Sequence, residues 1–476
     1  MKYLFVHQNM PGQYKHICQR LAADKDNRVV FITKREGLEL PNITKVLYKP
    51  QREPAESTHR YIRDAERGIL HAQEVARKAL ALKAQGFVPD IIIGHPGWGE
   101  TLYLKDVFPD TPLLGFFEFY YHAVGADVGF DPDNQPTLDS HCRIRTKNII
   151  QFMGLESADA GMSPTYWQFQ QYPPEFHYKI SVIHDGIDTR TCVPDPDASL
   201  EIRNTDGAVS TLHQGEEIVT FVVRNLEPYR GFPQFMRAAE IILKRRPKAR
   251  IVIIGGDEVS YGRALPDGQT YRKQMLEQVD IDPARVFFLG RVPYQTFLKV
   301  IQISGVHVYL TFPFVLSWSM LEAMSTGCLV IASATQPVTE VIEDGVNGLL
   351  VDFFDHQAVA DRVDEVLDHK DRMAAIRRKA RETIVGTYEL EDCLAAQMRL
   401  VDSLILGKRP QPGGTPGRPT MRLPGDAAPV APAGKPTAKK AAGKTNAKTA
   451  GTKKTAAKKP AAKKKPAAKK KAKARS

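Results

Sequence analysis

Two arginines in the second half of the sequence are suited to binding a diphosphate. In "VVRNLEPYRGF", Arg224 follows an apolar run of strand length, and Arg230 precedes Gly231 and the start of a helical pattern. Arginine is permanently charged and contacts phosphate oxygens in a bidentate geometry. The alternative is a pair of solvated arginines with no ligand. The pattern therefore favours an anion site at the end of this predicted strand.

One carboxylate, Glu322, follows in the stretch "TFPFVLSWSMLEAMSTG". Ser319 and Glu322 have the spacing of a capping box, in which the glutamate binds the amide of the capping residue. The residues just before them, Val315 to Trp318, are expected to present backbone N–H groups to the same cleft as Arg224. A nucleotide sugar needs anion contacts for its phosphates and a carboxylate for a hydroxyl pair. The capping and ligand-binding hypotheses both remain open at this point.

Three loops in the first half place glycine and polar residues after apolar runs. Gly12 lies in "HQNMPGQYKHI", before a predicted helix whose N-terminus favours an anion. His95 and Glu100 follow a second run in "IIIGHPGWGE", and Glu118 and His122 follow a third in "GFFEFYYHAVG". Each is compatible with an ordinary turn, but together they predict a site at one edge of a sheet. No G-x-G-x-x-G motif supports a dinucleotide.

The elements that position these residues alternate between strands and helices. Strand candidates in the first half are "YLFV", "RVVFI", "DIIIG" and "PLLGFF"; after "ISVIHDGID" come "IVTFVVRN", "RIVIIGG", "RVFFLG", "VHVYLTF" and "CLVIAS". This alternation predicts an α/β fold of two Rossmann-like domains with parallel sheets, facing a cleft. We expect residues 1–178, completed by a helix at 386–406, to form the first domain and residues 179–385 the second. Ligands of such sheets bind beyond the carboxyl ends of the strands.

The positive charge of the chain is concentrated at its C-terminal end. The 476 residues carry a net charge of +12, but residues 408–476 hold 21 Lys or Arg and one Asp. The remaining residues are mildly acidic, with 45 basic and 53 acidic side chains. Residues 407–476 are rich in Lys, Ala and Pro and poor in large apolar residues, so we expect a disordered tail. Such a tail is expected to bind a polyanion, either nucleic acid or an anionic membrane.

Cysteine usage and hydropathy indicate the compartment. The five cysteines are odd in number and have no close spacing, which predicts neither a disulfide framework nor a metal site. No apolar run approaches the length of a membrane span, and the apolar run at the N-terminus is too short for a signal peptide. A cytoplasmic protein is expected, with peripheral attachment to the inner membrane face as an alternative.

In this order, the motifs resemble those of the retaining glycosyltransferases of family four, which adopt the GT-B fold of two Rossmann-like domains. The matching pieces are "FVHQNMPGQYKHI", "ISVIHDGID", "RNLEPYRG", "LTFPFVLSWSMLEAMSTG" and "EVIEDGVNGLLV", which span nearly all of residues 1–406. The resemblance implies a nucleotide-sugar donor and retention of configuration, with no metal or other cofactor. It also implies a glycan, lipid-linked or small-molecule acceptor in the first domain, near Gly12, His95 and Glu118. Glu100 is expected on the same acceptor side.

The resemblance assigns roles to individual residues. Glu322 resembles the second glutamate of the family's pair, which binds the ribose, and Arg224 and Arg230 resemble its Arg and Lys pair on the diphosphate. Val315, Leu316, Ser317, Trp318 and Ser319 are expected to lie against the diphosphate and sugar, and Gly12 is expected to face the phosphates. These assignments together define the predicted donor site.

Two departures from the family pattern concern the sugar. The first glutamate of the pair belongs eight residues before Glu322, where this chain has Phe314. A histidine expected after the fourth strand is replaced by Glu118, so either Glu118 or His122 takes its catalytic role. We therefore expect a subgroup with altered sugar recognition. Two alternatives remain: a nucleotide-sugar epimerase on the same fold, and a non-catalytic protein that binds polyanions through its tail. Oligomeric state is not predicted.

Overall fold

The first of two parallel sheets is built from the N-terminal part of the chain. The computed structural model describes residues 1–203 and 209–407, and all structural statements refer to these ranges. The strands of this sheet are β1 (Lys2–Val6), β2 (Arg28–Thr33), β3 (Ile43–Leu47), β4 (Ile91–Gly94), β5 (Leu113–Phe116), β6 (Ala160–Ser163) and β7 (Ile180–Val182). They are ordered β3-β2-β1-β4-β5-β6-β7, and all pairs are parallel.

Helices cover both faces of this sheet. They are α1 (Lys15–Ala23), α2 (Arg63–Ala84), α3 (Leu104–Val107), α4 (Leu138–Lys147), α5 (Ile149–Ser157) and α6 (Tyr166–Gln171). Strands such as β1 and β4 are buried on both faces, which is why they read as continuous apolar runs. The strand order reverses between β1 and β4, and the crevice at such a switch point is where ligands of open α/β sheets bind.

The second sheet has the same winding and follows a short hairpin. The hairpin strands β8 (Ser199–Arg203) and β9 (Val209–His213) pair antiparallel. The strands of the sheet are β10 (Ile218–Asn225), β11 (Arg250–Gly256), β12 (Val286–Phe288), β13 (Val306–Tyr309), β14 (Val330–Ser333) and β15 (Leu349–Val351). Their order is β12-β11-β10-β13-β14-β15, all parallel, so the switch point lies between β10 and β13. The predicted fold of two Rossmann-like domains is confirmed.

The second sheet has its own helices, and the last helix of the described chain returns to the first domain. The helices are α7 (Phe232–Arg245), α8 (Tyr271–Gln278), α9 (Tyr294–Gln302), α10 (Trp318–Ser325), α11 (Gln336–Thr339), α12 (His356–Asp368), α13 (Lys370–Thr387) and α14 (Leu390–Ile405). Leu394, Leu400, Val401 and Leu404 of α14 join the apolar core of β1, β2 and α1. Helix α14 is therefore part of the first domain in space, although it follows the second domain in sequence.

The structure differs from the sequence-based expectation at the junction of the domains. Strand β7 pairs with β6, so the first sheet continues past residue 178, where the boundary was predicted. The β8–β9 hairpin lies in the polar stretch after the crossover, for which no strands were predicted. The expected tail at 407–476 lies, apart from Gly407, outside the described residues. Within those residues, no helix is both long and apolar enough to cross a bilayer.

Candidate functional site

Arg230 is the buried anchor of the site at the switch point of the second sheet. It lies in a single 3-10 turn, Pro228–Arg230, between β10 and α7. Its Nη1 donates hydrogen bonds to Thr311 Oγ1 at 2.8 Å, to the Val315 carbonyl at 2.9 Å and to Tyr309 Oη at 3.3 Å. All three bonds use one guanidinium nitrogen and fix the loop that follows β13. The guanidinium thus lies beneath that loop with its charge retained.

The loop after β13 leads into α10 and presents free backbone donors. Ser317 is the N-cap of α10, and its hydroxyl accepts the Ser319 N–H. The Ser317 N–H is itself taken by Tyr309 Oη at 2.9 Å. In the described part of the chain, the N–H groups of Val315, Leu316 and Trp318 have no hydrogen-bond partner. Unpaired N–H groups beside a buried guanidinium are suited to binding an anion.

Glu322 does not cap its helix. It lies in the second turn of α10, and its Oε1 accepts a hydrogen bond from Tyr294 Oη at 2.9 Å. The capping-box interpretation of Ser319 and Glu322 is therefore wrong, because Ser317 is the cap. Burial raises the pKa of Glu322, although the Tyr294 hydrogen bond and the charge of Lys15 oppose this. Lys15 of the first domain lies over the Tyr294 ring, so both domains face this carboxyl group.

Phe314 is buried in an aromatic cluster that joins the two domains. Its ring lies 4.6 Å from Phe119 of the first domain and 4.9 Å from Tyr261 of the second. Tyr229 meets it edge-on, and the Arg230 guanidinium lies over its face at 5.8 Å. The position at which the resemblance expects a carboxylate is thus filled by a ring that packs on all sides. We call Phe119, Tyr229, Tyr261 and Phe314 the aromatic cluster.

Arg224 differs from Arg230 in its surroundings. It is the second-last residue of β10, is exposed, and has no partner among the described residues. The next residue, Asn225, is buried, donates to Ser260 Oγ and accepts from Arg291 Nη2. The structure thus brings Arg230, but not Arg224, into contact with the loop after β13. The role of Arg224 on a diphosphate stays a prediction.

Glu118 lies on the first-domain side of the cleft in a hydrogen-bonded group with His95 and Gln13. Gln13 Nε2 donates to Glu118 Oε1 at 2.8 Å, and His95 Nε2 lies 3.3 Å from Oε2. The Gly97 N–H donates to His95 Nδ1, so the ring proton is on Nε2 and points at the carboxylate. Burial raises the pKa of Glu118, but the His95 and Gln13 hydrogen bonds outweigh it and hold the pKa below its usual value. Glu118 is therefore an ionised, partly exposed carboxylate.

The loop after β1 passes so close to the His7 ring that only glycine fits at position 12. Its φ is +55°, and a Cβ at this position is expected to lie 2.8 Å from the His7 ring. The His7 ring packs against those of His95, Trp98 and Tyr14. Burial lowers the pKa of His7 to about 4, so it is neutral at pH 7. The glycine thus allows the loop to lie directly over a buried imidazole.

Two predicted residues are engaged elsewhere. Glu100 is fully buried, and its Oε1 accepts from Tyr48 Oη at 2.7 Å and lies 3.3 Å from His71 Nδ1. The structure does not bring Glu100 into hydrogen-bond contact with His95, and its partners lie on β3 and α2. His122 Nε2 donates to the Gln171 carbonyl at the end of α6, which ties it to that helix instead of to Glu118. Of the first-domain candidates, His95 and Glu118 are the pair in direct contact.

Asp185 is a buried residue of the cleft that the sequence did not single out. It follows β7 in the crossover segment, and its Oδ2 accepts a hydrogen bond from Trp318 Nε1 at 3.0 Å. Its Oδ1 is buried without a partner in the described residues, as is the hydroxyl of Tyr14. Burial raises the pKa of Asp185 to about 7, with a further increase from the charge of Glu118. The signal in the sequence was a carboxylate just after an apolar run, in "ISVIHDGID".

Other contacts hold the two domains together. Glu340 accepts the backbone N–H groups of Tyr166 and Trp167, at the start of α6, at 2.8 and 2.7 Å. The Trp167 indole donates to Gln336 Oε1, and the Tyr229 hydroxyl donates to Asp127 Oδ2. Among the residues described, no group of three or more His, Cys, Asp or Glu side chains is arranged to hold a metal ion. The cleft is thus closed by specific polar bonds as well as by the aromatic cluster.

Comparison with protein families divides the chain as the structure does. The model for the glycosyl transferase family 4 group matches residues 25–192, and the model for glycosyl transferases group 1 matches residues 206–383. Together the two models cover most of both domains.

Curated relatives and solved structures are consistent with these matches. The D-inositol 3-phosphate glycosyltransferase of Corynebacterium glutamicum is 29% identical over 58% of this chain, and that of Mycolicibacterium smegmatis is 29% identical over 43%. The matches span 62% and 43% of those relatives, less than two thirds of their lengths. Anabaena Alr3699/HepE in complex with UDP-glucose superposes with a TM-score of 0.60 at 16% identity, covering 85% of this chain and all of that one. Sucrose-phosphate synthase from Thermosynechococcus elongatus superposes with a TM-score of 0.65 at 15% identity, and the superposition covers 86% of this chain and all of that one.

Proposed function

Because this chain belongs to family four of the glycosyltransferases, on the GT-B fold, we propose that it transfers a sugar from a nucleotide-diphosphate sugar to an acceptor with retention of configuration. The observation that carries the proposal is the anion site made by Arg230 and the free N–H groups of Val315, Leu316 and Trp318. It lies at the switch point of the second sheet, where a ligand is expected. The relatives named D-inositol 3-phosphate glycosyltransferase support a transferase.

The proposed chemistry is electrostatic stabilisation of the departing diphosphate. Negative charge that develops on the phosphate oxygens is met by the Arg230 guanidinium and by fixed N–H dipoles, which need no reorganisation during the reaction. We propose that Arg224 adds a second, solvent-exposed positive charge, so that the two arginines take the place of a metal ion. Glu322 is placed by this proposal on the ribose, where a hydroxyl pair displaces the Tyr294 hydroxyl from its carboxylate.

The acceptor is proposed to enter from the first domain, beside the His95–Glu118 pair. Glu118 is ionised and partly exposed, so it is able to accept a hydrogen bond from a sugar or acceptor hydroxyl. His95 holds it in place through Nε2. A glycan, a lipid-linked molecule or a small molecule each offers such hydroxyl groups.

A screen with nucleotides tests the proposal on the full chain. Thermal unfolding is measured with UDP, GDP and ADP and with UDP-glucose, GDP-mannose and ADP-glucose, and release of free sugar is measured in parallel. We expect stabilisation by one base, with slow hydrolysis in the absence of acceptor. Stabilisation by none of the six contradicts the proposal. Rapid release of an epimerised free sugar supports the epimerase instead.

The basic tail is proposed to bring the enzyme to an anionic membrane surface that carries a lipid-linked acceptor. Its 21 basic residues and single acidic residue suit such a surface, at about 1 kcal/mol per lysine near the headgroups. The test compares the full chain with a chain lacking residues 408–476, in sedimentation with phosphatidylserine vesicles and with duplex DNA. Retained vesicle binding by the shortened chain contradicts the membrane role. Preferential DNA binding by the full chain favours nucleic acid.

A further inference from the structure

Two polar atoms of first-domain residues, one on Asp185 and one on Tyr14, are buried and unpaired among the described residues. Asp185 Oδ1 and Tyr14 Oη have no hydrogen-bond partner among the described residues, and the two side chains are 6% and 1% exposed. The Tyr14 ring contacts that of His7, which in turn contacts His95, the hydrogen-bond partner of Glu118. A buried polar group without a partner costs about 1–3 kcal/mol, so such groups are usually satisfied by water or a ligand.

The location of Asp185 connects this pair with the anion site. Its other oxygen, Oδ2, accepts the indole N–H of Trp318, which is the first residue of α10. The free N–H groups of Val315, Leu316 and Trp318 lie in the same segment. A sugar attached to a phosphate held there must lie within one ring diameter of that segment. Asp185 reaches this segment with one unused acceptor oxygen, and Tyr14 is one of the other first-domain residues with a buried, unpaired polar atom.

The second domain does not provide the corresponding carboxylate at position 314. Position 314, where the family resemblance expects it, is a phenylalanine whose ring is packed between Phe119, Tyr229 and Tyr261. A hydroxyl-bearing ligand gains no hydrogen bond from that ring. Recognition of sugar hydroxyls must therefore come from another part of the cleft.

We propose that Asp185 and Tyr14 form a subsite for the hydroxyl groups of the donor sugar, with the Trp318 indole holding the Asp185 carboxyl group in place. This inference rests on the proposed function and names the residues that recognise the transferred sugar. The carboxyl oxygen and the phenol hydroxyl together accept and donate hydrogen bonds, as a pair of sugar hydroxyls requires. The subsite binds the sugar portion and leaves the nucleotide to Arg230 and Glu322.

The test separates binding of the sugar from binding of the nucleotide. Dissociation constants for UDP and UDP-glucose, or for the GDP or ADP pair if that base binds, are measured by calorimetry on the full chain. The ratio of the two dissociation constants within one pair measures how much the sugar portion contributes to affinity. We expect Asp185→Ala to reduce this contribution about 10-fold or more, because it removes a hydrogen bond to a buried acid group. Affinity for the nucleotide alone is expected to change less than about 2-fold.

Two control variants exclude indirect effects. Glu340→Gln alters another buried carboxyl group that bridges the domains, but one whose oxygens already accept two N–H groups, so the ratio is expected to stay unchanged. Tyr172→Phe removes a second fully buried hydroxyl without a partner, on the opposite side of the first sheet, as a match for Tyr14→Phe. Only Tyr14→Phe is expected to weaken binding of the sugar portion.

The outcomes are distinguishable. If a nucleotide stabilises the wild-type protein but Asp185→Ala keeps the wild-type ratio, the inference is overturned and the two polar atoms are satisfied by water. The inference is also overturned if Glu340→Gln lowers the ratio of dissociation constants as much as Asp185→Ala does, because the lost sugar affinity is then explained by a change in domain closure. If no nucleotide binds the wild-type protein, the proposed function fails before the subsite is tested.

Discussion

The two sides of the cleft differ in how completely their side chains are engaged. On the second-domain side, Arg230 makes three hydrogen bonds with the end of β13 and the loop after it, and Phe314 packs against rings from both domains. On the first-domain side, Asp185 and Tyr14 keep buried polar atoms without partners in the described residues. The side chains of Arg230 and Phe314 are held by contacts within the protein, whereas the side chains of Asp185 and Tyr14 have unused hydrogen-bonding capacity.

This difference indicates a division of labour. A preorganised charged anchor is suited to a group that all donors share, namely the diphosphate, because its geometry does not vary with the sugar. Unpaired polar atoms discriminate strongly between ligands, because a ligand that lacks the matching hydroxyl leaves them unsatisfied. We infer that the second domain anchors the donor and the first domain selects it.

The largest effect is expected at the anchor. Arg230→Lys keeps the charge but loses the guanidinium whose Nη1 binds Thr311 and Val315, so kcat/KM is expected to fall about 10²- to 10³-fold. The matched control is Arg224→Ala, for which a loss of about 10-fold or less is expected because exposed charges are screened by solvent. Steady-state kinetics with the donor identified by the screen provide the measurement. A greater loss for Arg224→Ala reverses the assignment of the anchor.

The aromatic cluster is expected to matter more for stability than for chemistry. Phe314→Ala removes a buried ring that bridges the domains, at a cost of about 3 kcal/mol in the free energy of unfolding. Phe314→Glu is expected to cost at least as much, because it buries a charge among rings, and to give no gain in turnover. Thermal unfolding and turnover are measured together.

The control for this cluster is a ring of the same type on the surface. Phe152 is 43% exposed, so Phe152→Ala is expected to change stability by less than about 1 kcal/mol. A gain of activity in Phe314→Glu contradicts the idea that sugar recognition has moved to the first domain.

The fold was accessible from the sequence wherever strands were strongly apolar. Strand β3, "ITKVL", was missed because it is an edge strand in which only Ile43 is fully buried, and β6, "AGMS", was missed because its small residues have little strand propensity although all are buried. Strand β7 was assigned to the wrong side of the boundary because local pattern does not reveal which sheet a strand joins. Pairing with β6 is a long-range choice.

The residue types of the candidate site could be predicted from the sequence, but their contacts could not. Arg230 was singled out from its position between a predicted strand and a helix, and Glu322 from its place near a helix start; their predicted roles came from the family resemblance. The cap was assigned to Ser319 instead of Ser317, because both serines lie at the start of the helix and the pattern does not distinguish them. The bond between Asp185 and Trp318 joins residues 133 positions apart, so no local pattern contains it. Burial of one Asp185 oxygen without a partner is likewise a property of the folded cleft.

The raised pKa of Asp185 predicts how the stability of the protein depends on pH. The pKa of Asp185 is raised from 3.8 to about 7, so the folded protein binds a proton there more tightly than the unfolded chain does. Stability is therefore lost as the pH rises from about 4 to about 7, by on the order of 4 kcal/mol for the ionised form. The neutral Asp185→Asn still accepts the Trp318 N–H. It is expected to raise the unfolding temperature at pH 8 and to change it little at pH 4.5.

The contrasting variant for this effect is Glu340→Gln. Its carboxylate accepts two backbone N–H groups, and an amide replaces one acceptor by a donor, so a loss of about 1–2 kcal/mol is expected at pH 8. If Asp185→Asn raises the unfolding temperature at pH 8 and Glu340→Gln lowers it, the Asp185 carboxyl group serves a ligand and the Glu340 carboxyl group serves the structure. A lower unfolding temperature for Asp185→Asn at pH 8 identifies Asp185 as structural.

The smallest effects are expected at the ribose position, where both domains contribute. Glu322→Ala is expected to weaken nucleotide binding about 10-fold, because a carboxylate that receives a hydroxyl pair is lost. Tyr294→Phe removes only the hydroxyl that occupies Glu322 in the free protein, so its nucleotide affinity is expected to stay within about 3-fold of wild type. Calorimetric titration with the nucleotide alone measures both. Normal binding by Glu322→Ala removes the ribose role and leaves Glu322 as a partner of Tyr294, in which case the nucleotide is held by the Arg230 anchor without help from α10.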